Sequence, residues 1–386
     1  MTRLAMALAT SAAIVLAGGA AAAAEAPKLP KSMVWTAYDL GSSGYAEAAG
    51  IANAFQKNFD VRVRIIPSGT SIGRLLPVTT GKATYGFLAS GAYFASQGTY
   101  DFAAPEWGPQ DIRIVAGKPA TSAFAVAGDI GVKTIADLKG KRIGFVKGNP
   151  SVNVKTEGYL AFGDLTMKDV QPVWFGSYNA MKTAVISGQL DAFISTTISA
   201  NMREIEASPR GLVWPEYPPD NKQGWDAIQK IISFAAPRLE TTGAGVSEAN
   251  PKQLIGFRYP MVTTYARTSD EDAYNMIKAM DLTYDDYKHT AASSHDWAIE
   301  KSGHPPYDAP THPGAIRYMQ EKGLWTAEDQ AWNDRRLAEM NRTLAAWDEA
   351  RAEFDDMRAA AKAKGETVDD GQWPEFWDSR RVAAIN

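Results

Sequence analysis

From residue 32 onward, short apolar runs alternate with stretches whose apolar side chains recur every three or four positions. The short runs read as strands, and the longer spacing reads as one buried face of a helix. Residues 33–37 predict a strand, followed by a glycine-serine turn and a helix with Ala48, Ile51, Ala52, Phe55 and Phe59 on one face. Residues 61–66, where Arg62 and Arg64 alternate with apolar neighbours, predict a second strand, and residues 85–88 a third. The plan recurs downstream, with strands at 143–146, 173–175 and 192–194 and a helix that ends near Phe162. Gly41, Gly69 and Gly81 each precede Gly148, Gly176 and Gly188 by 107 residues. Two α/β lobes of one βαβαβ plan, each a βα sandwich around a largely parallel sheet, are the simplest arrangement that gives this pattern.

Two lobes in one chain need crossings. Residues 120–128, rich in small side chains, predict the outward one, and residues 237–251, with two prolines and Gly243 and Gly245, the return. A strand at 257–265 and a helix from Asp270 to about Met280 then complete the first lobe. Lobe I is therefore expected at 31–122 and 250–327, lobe II at 123–249, and the paired crossings form a hinge. A C-terminal helical extension, residues 328–386, opens on a helix to about Met357. Its Leu337, Met340, Leu344, Trp347 and Phe354 form an apolar stripe broken at Arg351. Such a stripe packs on the chain's own lobes, although its near-heptad spacing also suits a homodimer.

Composition narrows the classes. Arg3, the apolar run 4–16 and the small residues ending at Ala24 predict a signal peptide over residues 1–24, hence a periplasmic mature chain. With 40 basic and 44 acidic side chains and no basic stripe, nucleic acid is not an expected partner. The absence of cysteine excludes a disulfide, a thiolate nucleophile and a cysteine zinc site. His289, His295, His304 and His312 lack the helical spacing of a zinc pair. Neither a nucleophile elbow nor a P-loop or dinucleotide fingerprint occurs. The expectation is a protein without catalytic residues, metal or cofactor.

Six strand ends carry small hydroxyl or amide side chains: Ser42 and Ser43; Thr70 and Ser71; Ser90; Asn149, Ser151 and Asn153; Ser177 with Tyr178; and Thr196 between Ser195 and Thr197. In parallel sheets ligands gather at these ends, and helix N-termini with free N–H groups favour an anion. Arg74 lies one turn beyond Thr70, within bidentate reach of a carboxylate, and Tyr45 and Tyr178 would flank it. Each hydroxyl alone is as well explained as a helix cap worth about 1 kcal/mol. A cap that faces a cleft serves both roles.

The motifs resemble those of the TAXI family of receptors for TRAP transporters, over roughly residues 33–326. Gly41-Ser42-Ser43-Gly44-Tyr45 with Ile51-Ala52-Asn53 is similar to the family's opening, and Pro67-Ser68-Gly69-Thr70-Ser71 to its second loop. Asp137-Leu138-Lys139-Gly140-Lys141-Arg142-Ile143 is shared by many bacterial binding proteins. His312-Pro313-Gly314-Ala315-Ile316-Arg317-Tyr318 with Glu321-Lys322-Gly323-Leu324 resembles the family's closing motif, which makes His312 structural. The resemblance implies a type II-like periplasmic binding protein that captures a small organic acid, glutamate or another carboxylate, and hands it to an ion-driven TRAP permease in the membrane. A sensor that presents its ligand to a membrane signalling partner, or an enzyme on the same scaffold, are the alternatives.

Overall fold

A computed structural model describes residues 25–385, so the predicted leader lies outside the described residues. Among them no helix is long and apolar enough to cross a membrane. Lobe I opens with β1 (Ser32–Ala37), α1 (Ser43–Phe59), β2 (Arg62–Pro67), α2 (Ser71–Thr79), β3 (Tyr85–Leu88) and α3 (Gly91–Gln97). β1 pairs in parallel with β2 and β3, so their carboxyl ends share one edge. The long strand β4 (Ile112–Ala127) leads to lobe II, where β5 (Arg142–Val146), α4 (Pro150–Ala161), β6 (Gln171–Phe175), α5 (Tyr178–Ile186) and β7 (Ala192–Ser195) repeat the plan. Then α6 (Ala200–Glu206), β8 (Leu212–Val213), α7 (Lys222–Ile231) and β9 (Ala236–Glu240) lead into β10 (Lys252–Tyr265) and α8 (Asp270–Leu282). The internal repeat extends to backbone conformation at two of its three glycine pairs. Gly41 and Gly148 have φ of 83° and 68°, and Gly81 and Gly188 have 71° and 76°.

The outward crossing is itself a strand: residues 120–127 are the second half of β4, which pairs with β10 as far as Ser122 and with β7 from Ala123 onward. Small side chains suit this course because the strand is buried along almost its whole length. β10 starts at Lys252, ahead of the predicted Phe257, because its first residues pair with β9. The chain thus rejoins the lobe I sheet at Ala236, earlier than the expected 250. One sheet path, β2-β1-β3-β10-β4-β7-β5-β6, runs through both lobes, with β8 on β4 and β9 on β10.

The face of lobe I away from the cleft buries Trp35, Phe55, Phe87, Met276 and Trp297 in one core. α1 contributes through its predicted face, with Ala48, Ile51, Ala52 and Phe55 all buried. A second core runs through lobe II and across the hinge strands, with Phe124, Phe145, Tyr159 and Phe193 at its centre. His312 caps the helix Pro313–Glu321: its Nδ1 accepts the Gly314 N–H at 3.2 Å, and its Nε2 lies 3.1 Å from the Thr268 carbonyl.

The extension forms a helix from Ala327 to Ala363, opened by a capping box of Thr326 and Asp329, and a terminal helix Trp373–Ile385. Its apolar stripe turns onto the chain itself. Met340 joins the main core, while Trp347, Ala350 and Phe354 pack with Trp373 and Trp377. The rings of Trp347 and Trp377 meet edge-on at 4.8 Å. Trp377 and Trp373 donate to the Gly98 and Ala103 carbonyls of lobe I, each at 2.6 Å. The stripe proposed for a homodimer is therefore covered within the chain. Replacing the fully buried Trp377 with alanine removes a large ring and leaves the Gly98 carbonyl without its donor. Trp377→Ala is expected to cost about 3–5 kcal/mol, read as a lower urea midpoint of unfolding.

Candidate ligand-binding site

The carboxyl ends of the two parallel strand sets face each other across the hinge and touch. Asn149, the residue before α4, bridges them: its Nδ2 donates to the Tyr38 hydroxyl at 2.6 Å and to the Gly69 carbonyl at 3.0 Å, and its Oδ1 accepts from Ser71 at 2.8 Å. Around it, the Ile72 N–H donates to the Gly148 carbonyl at 3.3 Å, and Asn179 donates its backbone N–H to Asp39 and its side-chain amide to the Leu40 carbonyl. Ser199 donates to the Gly41 carbonyl at 3.1 Å, and the Ser43 and Thr196 hydroxyls lie 3.3 Å apart. The Tyr38 and Tyr178 rings pack edge-on at 5.0 Å. Gly69 is needed for this approach, since a Cβ there would stand 2.5 Å from Asp39 Oδ2 and 2.8 Å from Ser177 Cβ. The two lobes are closed.

Behind these contacts lies a small cavity of about 40 Å³. Every lining residue is buried. Ser42 and Ser43 come from the start of α1, Ser151 and Lys155 from successive turns of α4, and Tyr178 from the start of α5. Ser195, Thr196 and Ser199 follow β7, and Phe257 and Tyr259 project from one face of β10. The β10–β4 register shifts between Arg258 and Met261, where Pro260 has no N–H to give the ladder. Gly44 lets the Tyr259 hydroxyl approach α1, because a Cβ there would be 2.4 Å from it.

Two cations, Lys155 and Arg74, stand at and behind the cavity wall. Lys155 is the charged side chain in its wall, with Nζ 4.0 Å over the Phe257 ring. Burial pushes its ammonium down to about 7, Asp308 works against that shift, and Arg74 adds to it. Arg74 is fully buried one layer back. Its guanidinium stacks 3.8 Å over the Tyr38 ring, Nε donates to the Thr70 carbonyl, and Nη1 has no partner among the described residues. Burial pushes the Tyr38 phenol up to about 12, with Arg74 opposing. The Ser90 hydroxyl is also buried without a partner. Unpaired donors in a dry site are costly unless a ligand meets them, and donors of this kind call for an acceptor.

Of the residues predicted from sequence, Ser42, Ser43, Ser151, Tyr178 and Thr196 line the cavity. Ser71, Asn149 and Ser177 instead stand where the lobes meet, Thr70 caps α2 by accepting the Gly73 N–H at 2.9 Å, and Arg74 and Ser90 lie behind the wall. Two are corrected outright. Asn153 turns back on its own lobe, pairing with the Val146 N–H at 2.9 Å and carbonyl at 2.8 Å, and Tyr45 packs against the lobe I core. The reading missed Tyr38, Lys155, Phe257 and Tyr259. Lys155 had a signal, a lysine four residues after Ser151 on an otherwise apolar helix face. The β10 aromatics had none, since only the return of the chain brings them to the site. Among the described residues no three acidic or histidine side chains gather as a metal site.

Asn149 serves three partners at once, so Asn149→Ala leaves three buried polar groups of lobe I unsatisfied at about 1 kcal/mol or more each. The variant is expected to favour the open form, seen as a larger radius of gyration in solution scattering. Its bound ligand should dissociate at least about tenfold faster, with little change in association rate.

No curated protein matches the sequence. Solved structures match it with low identity. The alkanesulfonate-binding protein of Xanthomonas axonopodis pv. citri, bound to MOPS, is 16% identical over 80% of this chain and 85% of that one, with a TM-score of 0.41. The periplasmic aliphatic sulphonate-binding protein of Escherichia coli gives 16% identity, 80% coverage of each chain and a TM-score of 0.38. A Brucella ovis periplasmic binding protein with glutathione bound gives 13% identity over 67% of this chain and 73% of that one, with a TM-score of 0.40. Residues 40–323 match the model of one family over most of the chain: the protein belongs to the NMT1-like family.

Proposed function

We propose that the protein is a periplasmic solute-binding receptor that closes its two lobes on a small organic acid, a glutamate-like or other carboxylate, and delivers it to a membrane permease of the ion-driven TRAP type. The observation that carries this reading is the buried cavity between the lobes, walled by hydroxyls and by one cation, Lys155, with a second cation, Arg74, behind it. A carboxylate there replaces lost water with charge-assisted hydrogen bonds. The TRAP assignment rests on the glycine-serine opening and the closing motif at His312. The role is binding rather than catalysis: the wall's hydroxyls serve as caps and inter-lobe contacts, and none is paired with a base. Tyr178, for one, donates to the Ile194 carbonyl at 3.1 Å.

A carboxylate binds better to charged Lys155. In the closed, empty cavity burial pushes this lysine down to about 7, so binding there above that pH requires proton uptake. Affinity should then fall by up to about tenfold per pH unit above 7, until the pKa of the bound state is reached. Titration calorimetry with glutamate and a panel of small carboxylates, in buffers of different ionisation heat, is expected to show this slope and the uptake. Lys155→Met should lower carboxylate affinity by about tenfold or more and abolish the slope. If uncharged ligands bind as tightly as their acids, or the slope is flat, the carboxylate assignment fails. Uptake by vesicles carrying the permease should follow an ion gradient; uptake driven by ATP alone would overturn the TRAP assignment.

A further inference from the structure

A second, larger hollow lies beside the hinge and is separated from the ligand cavity by Phe257, which lines both. Its volume is about 780 Å³, against about 40 Å³ for the cavity. One wall is the lobe II segment that carries Phe234, the floor is Arg238 and Arg258 of the hinge strands, and the other wall is Tyr307, Asp308 and Trp332 of lobe I and its extension. Its charges do not cancel. Arg336 at its edge is matched by Glu339 at 2.7 Å, and Asp308 is a buried carboxyl pushed up to about 7 by burial, with Arg336 and Lys155 opposing.

The two hinge arginines are weakly matched. Arg258 spends one nitrogen on the Gly117 and Lys301 carbonyls, at 2.9 Å and 2.7 Å, and no carboxylate among the described residues pairs with it. Arg238 has a long ion pair, 3.9 Å to Asp296 Oδ2, with a carboxylate that Lys301 holds closer, at 2.8 Å. Burial holds the Arg258 guanidinium below its usual range, with Tyr307 opposing and Arg238 adding to the shift. Two neighbouring cations in a partly desolvated groove are a costly arrangement that an incoming anion relieves. The remaining wall is aromatic: the Tyr307 and Trp332 rings meet edge-on at 6.2 Å, with Phe234 opposite. Rings of this kind favour a flat apolar body.

We infer that this trench is a second small-molecule site, for an aromatic carboxylate whose acid group meets Arg258 and Arg238 and whose ring lies among Phe234, Tyr307 and Trp332. Its walls come from both lobes, so an occupant stabilises the closed arrangement and couples to the enclosed cavity, and by linkage the coupling is reciprocal. The inference stands whether or not the cavity binds a carboxylate.

The probe is 4-hydroxyphenylacetate, with 4-hydroxyphenylacetamide as its uncharged control, titrated into protein labelled with 5-fluorotryptophan. No tryptophan lines the enclosed cavity, so the Trp332 fluorine resonance, assigned through Trp332→Phe, reports the trench. A saturable shift of that resonance by the acid and not by the amide is expected. Arg258→Ala and Arg238→Ala should each weaken binding by about tenfold. Arg238 is the more exposed of the two, so its variant keeps the test valid if Arg258→Ala fails to fold. Binding heat without movement of Trp332, equal affinity for the amide, unchanged affinity in Arg238→Ala, or no binding at about 10 mM acid would each overturn the inference.

Discussion

Everything at the site depends on one constraint: β4 belongs to both lobes at once, with β10 running beside it at the hinge. A buried strand must place every N–H and C=O in a ladder, and these two meet that demand by pairing with each other along lobe I and passing their outer ends to β7 and β9. The lobes therefore cannot slide past one another, and the remaining freedom is bending about the Ser122–Ala123 junction. That axis brings the carboxyl edge of β1, β2 and β3 against that of β5, β6 and β7. A short set of inter-lobe contacts, centred on Asn149, is then enough to seal the cavity. The pair is held from lobe I as well. Buried Lys118 of β4 lies 3.4 Å from buried Glu47 of α1, whose carboxylate also accepts from Ser293 and Trp297.

Much of this was legible in the chain because periodicity reports burial directly. The strand β3 matches its predicted limits, and the face of α1 follows from positions 48, 51, 52 and 55. The repeat of 107 residues shows as matched left-handed glycines at two of its three pairs, where the turn itself sets φ. The crossings were not legible as strands, because small residues such as Ala120 and Ala123 fit a loop and a two-sided buried strand equally well. The site was half legible for a related reason. A serine at a strand end is recognisable, but whether it faces the cavity, as Ser151 does, or the other lobe, as Ser71 does, depends on the angle between lobes. Tyr259 and Phe257 reach the cavity only through the sheet order, which no local pattern states.

The electrostatics give the proposed receptor a use for so uncomfortable a lysine. Lys155 is held among Phe257, Tyr259 and a distant Asp308, and nothing in the wall neutralises it fully. In the closed, empty protein that arrangement is unfavourable, so closure without ligand carries a penalty that an anion removes. The differential matters more than raw affinity, because a ligand shifts an equilibrium only by the difference in its free energy between the two states. In the proposed role, the hydroxyls of Ser43, Ser151 and Thr196 would orient the guest, and the lysine would make closure conditional on its charge.

The extension has a role in this logic beyond covering its own stripe. Trp332 and Arg336 lie on its long helix, and that helix is anchored to lobe I by Met340, Trp347 and the terminal tryptophans. It builds a rigid wall facing the lobe II segment around Phe234, whose ring already meets Tyr93 of lobe I at 5.5 Å. When the lobes bend apart at Ser122–Ala123, this wall and that segment belong to different bodies, so the width of the trench must follow the state of the cavity. Phe257 stands between the two hollows, with Lys155 on one side and Arg258 next to it in sequence. One side chain and one hinge strand thus separate the two hollows, the route by which the proposed coupling would pass.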